Sequence, residues 1–298
     1  MKKLLKICKT SFIIPLLPTV CKKLTIIAQK TYNTYMIIDF HTHCYPDSLS
    51  HKAVYSIDDD WKDEFSEGTY RGLKKGMAEV GIDKAVVLPV CHKPDHEDVI
   101  NGFVFELTLK DDSLIPFASV HPDTVGATGL VYEYAKKGIK GIKFHPPLQR
   151  FDIASEKLLP IYKAIKDCGL IAVFHCGKVG RERSELDLFP TDFEKILHHL
   201  GDKVVLAHMG GYGIKRDELD VLYNLPVYVG TSLSARQFTI DEYTEAIEKI
   251  GADRLLFGSD VPWGDVKREL DYLAHACANV KDWEKITCEN AKRLLGIN

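Results

Sequence analysis

Short apolar runs alternate with longer amphipathic segments from Met36 to the end of the 298-residue chain. The apolar runs are nearly continuous, which is typical of strands buried on both faces of a parallel sheet. Eight such runs are more than an open doubly wound sheet usually has, and they favour an α/β fold of the (β/α)8 TIM-barrel type. The predicted strands are Met36–Phe40, Lys84–Leu88, Leu114–Val120, Ile139–Phe144, Leu170–Phe174, Lys203–Ala207, Val227–Gly230 and Arg254–Phe257.

The amphipathic segments between the strands predict helices. Thr191 with Glu194, and Thr239 with Glu242, have the spacing of N-terminal capping boxes. No linker interrupts the alternation after Met36, so residues 36–298 are predicted to form a single catalytic TIM-barrel domain. The clearest helical segments are Gly126–Lys137, Ser155–Asp167, Asp192–Leu200 and Asp241–Ile250, and most are followed by glycine, as helix C-termini favour.

Residues 1–35 differ from the rest, because they carry seven lysines and no acidic residue. The apolar stretch from Phe12 to Leu17 resembles part of a secretory signal, but no A-x-A cleavage site follows it and it is too short to span a bilayer. Met36 begins a complete strand and could be the start of translation. We interpret residues 1–35 as an N-terminal extension outside the fold; a targeting signal and a surface anchor remain open.

The overall composition limits the classes of binding partner that the chain is expected to have. The chain is 45% hydrophobic and 27% charged with a net charge of -3, which gives no general attraction to nucleic acid or to an anionic membrane. A small-molecule substrate is therefore expected. The eight cysteines are scattered without CxxC spacing, which predicts free thiols in a reducing cytoplasm. Association into a homo-oligomer stays open.

Polar side chains lie at the carboxyl ends of five of the predicted strands. The first strand runs into Asp39-Phe40-His41-Thr42-His43, and alternation along a strand places His41 and His43 on the same side. The active site of a TIM barrel lies at these carboxyl ends, and imidazole and carboxylate groups suit zinc and similar ions. A buried histidine bonded to a backbone carbonyl would explain any one of these ends, but five together predict a metal site. The other four ends carry Lys143 and His145, His175, His208, and Asp260.

Four motifs together resemble the amidohydrolase superfamily, in particular the amidohydrolase-related group that includes aminocarboxymuconate semialdehyde decarboxylase and the resorcylate decarboxylases. They are D-F-H-T-H at 39–43, F-H-C-G at 174–177, A-H-M-G-G at 207–211 and F-G-S-D-V-P-W at 257–263. The resemblance implies catalytic roles for His208 and Asp260. It also implies one divalent metal, zinc or else manganese, held by His41, His43, His175 and Asp260. For Lys143, a salt bridge, substrate binding and a bridge between two metals remain open.

A divalent ion lowers the pKa of bound water toward about 7, so metal-dependent hydrolysis of a small, carboxylate-bearing molecule is the leading hypothesis. The first alternative is non-oxidative decarboxylation of an aromatic or unsaturated acid, and the second is a noncatalytic metal-binding protein. Residues that follow the strands are candidates for substrate contact, with surface charge or packing as the simpler explanation for several of them. These candidates are Lys143, His145, Arg181, Arg183 and Trp263.

Overall fold

The computed structural model describes residues 35–55, 66–179 and 184–297. Its strands are all parallel and are hydrogen-bonded in the order β1-β2-β3 and β4-β5-β6-β7-β8-β9. The bounds are β1 Ile38–Thr42, β2 Lys84–Val87, β3 Leu114–Pro116, β4 Ala118–Ser119, β5 Gly141–Phe144, β6 Ile171–Phe174, β7 Val204–Leu206, β8 Tyr228–Gly230 and β9 Leu255–Leu256.

Backbone hydrogen bonds join these two sets of strands into one closed barrel. β3 and β4 flank Phe117 and occupy a single barrel position, and the Phe117 amide donates to Val87 O at 3.3 Å. At the other junction, the amide of Phe40 in β1 donates to Phe257 O at 2.7 Å, just after β9. Eight barrel positions therefore close on themselves, and the predicted TIM barrel is confirmed.

Helices surround the barrel and connect its strands. They are Asp47–Tyr55, Tyr70–Val80, Glu97–Lys110, Ala127–Lys136, Pro146–Gln149, Leu159–Asp167, Pro190–Phe193, Leu197–Leu200, Arg216–Asn224, Ser234–Gln237, Ile240–Ile250, Val266–Ala276, Val280–Glu284 and Asn290–Leu295. Short 3-10 turns lie at Glu156–Leu158, His208–Gly210 and Ala252–Arg254, and a π-helical turn lies at Lys285–Glu289. None of the helices within the described ranges is long and apolar enough to cross a membrane.

The hydrophobic core has two layers, because each strand is buried on both faces. The inner layer fills the barrel with strand side chains such as Phe40, Val86 and Phe117, and the last helix adds Leu294 and Leu295 to it. The outer layer packs the opposite strand faces against the surrounding helices. This double burial explains why the strands are nearly continuous apolar runs in the sequence.

The predicted strands correspond to the observed barrel positions, but one helix prediction was wrong. The predicted helix Asp192–Leu200 is instead two four-residue helices, Pro190–Phe193 and Leu197–Leu200. The Thr191 hydroxyl donates to Glu218 at 3.0 Å instead of capping a helix with Glu194. The capping box of Thr239 and Glu242 is present as predicted. Residues 1–34 lie outside the described ranges, so their interpretation as an extension stays a prediction.

Asn290 fixes the last helix to the barrel, and its replacement tests that role. Its buried Nδ2 donates to Ala252 O at 2.6 Å and to Leu255 O at 2.7 Å. Asn290→Ala removes both hydrogen bonds from a buried site, although Ala252 O keeps its bond from the Leu255 amide. We therefore expect the free energy of unfolding to fall by about 1–3 kcal/mol in urea titrations. Asn224→Ala is the matched control, because its amide bonds only Asp220 O at an exposed site. Equal stability of the two variants would contradict the proposed role of Asn290.

Glu269 gives the folded protein a predictable pH dependence. Burial raises its pKa from 4.5 to about 8, against the opposing effect of the hydrogen bond from the Ala235 amide. The folded state therefore keeps this proton where the unfolded state loses it. The resulting stability is fully present below pH 4.5 and is lost as the pH rises through about 8, by up to about 1.4 kcal/mol per pH unit. Glu269→Gln should flatten this slope in urea titrations between pH 5 and 8 and be the more stable protein at about pH 9; an unchanged slope would contradict the assignment.

Candidate metal centre

The ends of β1 and β9 are tied together at the carboxyl end of the barrel. The β1–β2 register shifts between Asp39 and Thr42, and an irregularity of this kind re-aims the side chains that follow it. Asp39 Oδ1 accepts hydrogen bonds from the amides of His41, at 3.1 Å, and Ser259, at 3.0 Å. The Asp260 amide donates to His41 O at 2.8 Å. The backbone thereby holds His41 and Asp260 side by side.

Three predicted ligands, His41, His43 and Asp260, are in direct contact. Asp260 Oδ1 lies 3.1 Å from His41 Nε2 and 3.2 Å from His43 Nε2, and the two Nε2 atoms are 3.1 Å apart. Ligands bound to one ion at about 2.0–2.2 Å are separated by roughly this distance. His43 Nδ1 donates to Leu88 O at 2.6 Å, so in the neutral ring Nε2 presents a lone pair to the carboxylate. Two acceptors in contact need a proton or a metal ion between them, and two imidazoles with a carboxylate are a donor set that fits a divalent metal.

The electrostatic environment keeps His41 and Asp260 in the forms that bind metal. Burial, together with the nearby charge of Lys143, holds the pKa of His41 well below its usual value, so its imidazole is neutral. Burial alone would raise the pKa of Asp260, but contact with His41 and His43 overcomes this effect and holds it well below its usual range. Neutral imidazole and ionised carboxylate are the required ligand forms.

His175 and His208 extend the cluster. His208 Nε2 lies 3.1 Å from His175 Nδ1, and the ligand atoms of His208, His41 and Asp260 lie within 4.8 Å of one another. His175 Nε2 is buried without a hydrogen-bond partner in the described part of the chain. The structure thus brings all five residues into one cluster, in which His208 contacts His175 and also lies near His41 and Asp260.

Ser232 links two of these histidines and was missed by the sequence analysis. Its Oγ lies 2.9 Å from His208 Nδ1 and 3.3 Å from His41 Nδ1. Since a hydroxyl carries one proton, it donates to one ring and accepts from the other. Thr231-Ser232 follows the seventh predicted strand, so a polar residue at that strand end was the available signal.

Lys143 and His145 lie beside the same cluster. The Lys143 Nζ is fully buried 3.4 Å from His41 Nε2, and burial lowers its pKa to about 8 while the charge of Asp260 opposes that shift. Within the described ranges, no carboxylate oxygen forms an ion pair with Lys143, so the salt-bridge alternative has no partner there. The His145 ring stacks on His175 with centroids 3.9 Å apart, and its buried Nδ1 has no described hydrogen-bond partner.

A largely apolar pocket opens over these groups. Trp263 lines this pocket, and its contact with substrate stays a prediction. Its indole donates to Val54 O at 3.1 Å, which fixes the ring 5.2 Å from the ring of His43. Lys178 also lines the pocket and was not anticipated. Arg181 and Arg183 lie outside the described residues, so their contact with substrate stays a prediction. The other apolar walls are formed by Tyr45, Val90, Leu148 and Leu233.

Comparison with known proteins agrees with this architecture. The model of an amidohydrolase family matches residues 38–297. An uncharacterized TIM-barrel protein from Bordetella bronchiseptica has a TM-score of 0.68 at 20% identity, covering 88% of this chain and 98% of that chain. A 5-carboxyvanillate decarboxylase from Sphingomonas paucimobilis has a TM-score of 0.64 at 12% identity, with coverages of 89% and 100%.

A third structure adds a bound metal. A dihydroxybenzoic acid decarboxylase from Polaromonas sp. JS666, with bound manganese and the inhibitor 2-nitroresorcinol, has a TM-score of 0.63 at 18% identity, covering 88% of this chain and 97% of that chain. At these identities the likeness establishes the fold. No curated protein matches the chain.

Metal content tests the candidate centre directly. Protein purified without added metal and then loaded with zinc or manganese should hold about one ion per chain by elemental analysis. His41→Ala and His175→Ala should each lose it, because each removes a proposed ligand. The exposed His198→Ala is the control and should keep it. If His41→Ala keeps the metal, the proposed site is refuted. If only His175→Ala keeps it, His208 is the ligand in place of His175. Two ions per chain would mean that Lys143 bridges two metals.

Proposed function

The chain belongs to the amidohydrolase family, and from that premise we propose that it is a metal-dependent decarboxylase acting on a planar aromatic or unsaturated carboxylic acid. One observation carries the proposal: a buried ammonium without a described counter-ion, Lys143, lies beside the candidate metal ligands in a pocket with apolar walls. Such a site suits a flat apolar body that ends in a carboxylate. The 5-carboxyvanillate and dihydroxybenzoic acid decarboxylases of similar fold support the same class of reaction.

We assign the ion to His41, His43, His175 and Asp260, with zinc or manganese as the metal. When bound, a divalent ion polarises the oxygens of the substrate and neutralises charge that develops on them. Lys143 supplies a second positive charge beside His41, so the substrate carboxylate is oriented from two sides. Trp263, held by its bond to Val54, provides a rigid face against which a planar ring packs.

Decarboxylation replaces the carboxylate by a proton. The bond between the ring carbon and the carboxylate breaks, its electron pair stays on the carbon, and carbon dioxide leaves as the carbon takes up a proton. Burial lowers the pKa of His208 to about 4, so its ring is neutral and can act only as a relay, taking up one proton as it gives another to the carbon. Its two ring nitrogens lie beside Ser232 Oγ and His175 Nδ1, which are the neighbours through which that proton would pass. Apolar walls such as Val90, Leu148 and Leu233 withhold water from the carboxylate and so favour the neutral product.

Hydrolysis of an ester, lactone or amide is the second candidate function. The observation that favours it is the same pairing of His208 with Ser232, because a histidine beside metal ligands can accept the proton of attacking water and return it to a leaving group. Lys143 and the apolar walls are less well explained by this reaction, since neutral substrates offer no charge to a buried ammonium. We therefore rank hydrolysis below decarboxylation.

Matched pairs of substrates separate the two reactions. A panel of aromatic and unsaturated carboxylic acids is assayed on the metal-loaded protein for release of carbon dioxide, and the methyl ester of each acid is assayed for release of methanol. We expect at least one acid to lose carbon dioxide while its ester is inert. His208→Asn should lower the rate by about 10²–10⁴-fold, and His198→Asn should leave it unchanged. Methanol release without carbon dioxide would favour hydrolysis, and inertness of both panels would favour a noncatalytic metal-binding protein.

A further inference from the structure

A second cavity adjoins the outer wall of the reaction pocket. Lys178 and Tyr212 line both cavities, and residues 213–214 and 236–238 complete the second one. The charged side chains among the described residues of this lining are Lys178 and Arg236, both basic. The carboxylates of Asp217 and Glu218 line a separate cavity that also includes Lys178. A cleft bounded by one sign of charge concentrates ions of the opposite sign, so this cavity suits an anion.

The backbone on either side of Lys178 is held firmly. The Lys178 amide donates to Tyr212 O at 2.9 Å, and the Tyr212 amide donates to Cys176 O at 3.0 Å. Between these bonds, Gly177 has a φ of +88°, and a Cβ there would lie 1.9 Å from the Tyr212 nitrogen. Glycine is therefore required for the loops after β6 and β7 to join, and their junction places Lys178 on the shared wall.

The side chain of Lys178 is supported but has no described counter-ion. Its aliphatic stem crosses Gly213, where an added Cβ would lie 3.3 Å from Lys178 Cδ. Gln237 steadies this contact, because its Oε1 accepts from the Gly213 amide at 2.7 Å and its Nε2 donates to His208 O at 3.3 Å. Within the described ranges, no hydrogen-bond acceptor or carboxylate contacts the Lys178 ammonium, whereas lysines such as Lys163 are paired with a carboxylate.

We propose that Lys178, with Arg236 beside it, forms an outer subsite that binds a second, distal anionic group of the substrate. Lys143 and Lys178 line the same pocket, one buried beside the metal ligands and the other at the wall toward the second cavity. The substrate class is then a planar acid with two anionic groups, such as an aromatic dicarboxylate. This inference rests on the proposed function, because it assumes that the carboxylate lost as carbon dioxide lies at Lys143.

Equilibrium binding tests the subsite without requiring turnover. Titration calorimetry on the full-length, metal-loaded protein compares benzoate with benzene-1,3-dicarboxylate and benzene-1,4-dicarboxylate. We expect at least one dicarboxylate to bind about tenfold or more tightly than benzoate, as an added charge-assisted hydrogen bond provides. Lys178→Met should abolish that preference and leave the benzoate Kd within about twofold, and Lys178→Arg should retain most of it.

Lys215→Met is the matched control, because it removes the same charge from an exposed lysine nearby. Lys215 shares a third cavity with Lys178 but lines neither the reaction pocket nor the second cavity. Two outcomes overturn the subsite: a wild-type protein that does not prefer either dicarboxylate, and a loss of preference in Lys215→Met as large as in Lys178→Met. A dicarboxylate preference that depends on Lys178 without release of carbon dioxide from any acid would uphold the subsite and reject the decarboxylase. Release of carbon dioxide without a preference for dicarboxylates would support the decarboxylase and reject the subsite.

Discussion

The candidate site depends on one buried carboxylate, Asp39, which makes no contact with the pocket. A single oxygen of this side chain accepts from the amides of His41 and Ser259, and so joins the first barrel strand to the segment that follows the last. Burial raises the pKa of Asp39 to about 7, against the lowering effect of its hydrogen bonds with Ser259 and His41. Desolvating the Asp39 carboxylate therefore costs folding free energy, and the two hydrogen bonds gained in return hold His41 and Asp260 side by side.

The pocket itself concentrates groups that oppose stability. Lys143 is a buried cation, Asp260 is a buried anion, and His145 and His175 each have a ring nitrogen without a described hydrogen-bond partner. Unpaired buried polar groups are costly, and they persist where a ligand or substrate supplies the missing interaction. The two apolar layers of the barrel provide the excess stability that such a site requires.

The strand positions and most of the site could be predicted from the sequence, because both depend on local patterns. Double burial makes each strand a continuous apolar run, and a polar residue at a strand end is visible within a few positions. Lys178 was missed because its role comes from contacts between loops that are distant along the chain. Ser232 follows a predicted strand, but only the tertiary structure shows that its hydroxyl lies between the rings of His41 and His208. The register shift after Asp39 and the break between Phe193 and Leu197 likewise arise from tertiary packing, which overrode a helical pattern.

The bond between Asp39 and Ser259 spans 220 residues, and this separation has a consequence for how the protein matures. During synthesis from the N-terminus, His41 and His43 emerge early, but Asp260 and the helix that seals the barrel emerge last. The edge of β1 that faces β9 stays unpaired until β9 has been synthesised, and the formation of such long-range contacts is slow. Until Asp260 emerges, the nascent chain therefore carries three of the four proposed ligands without a formed site, and metal binding requires the completed barrel.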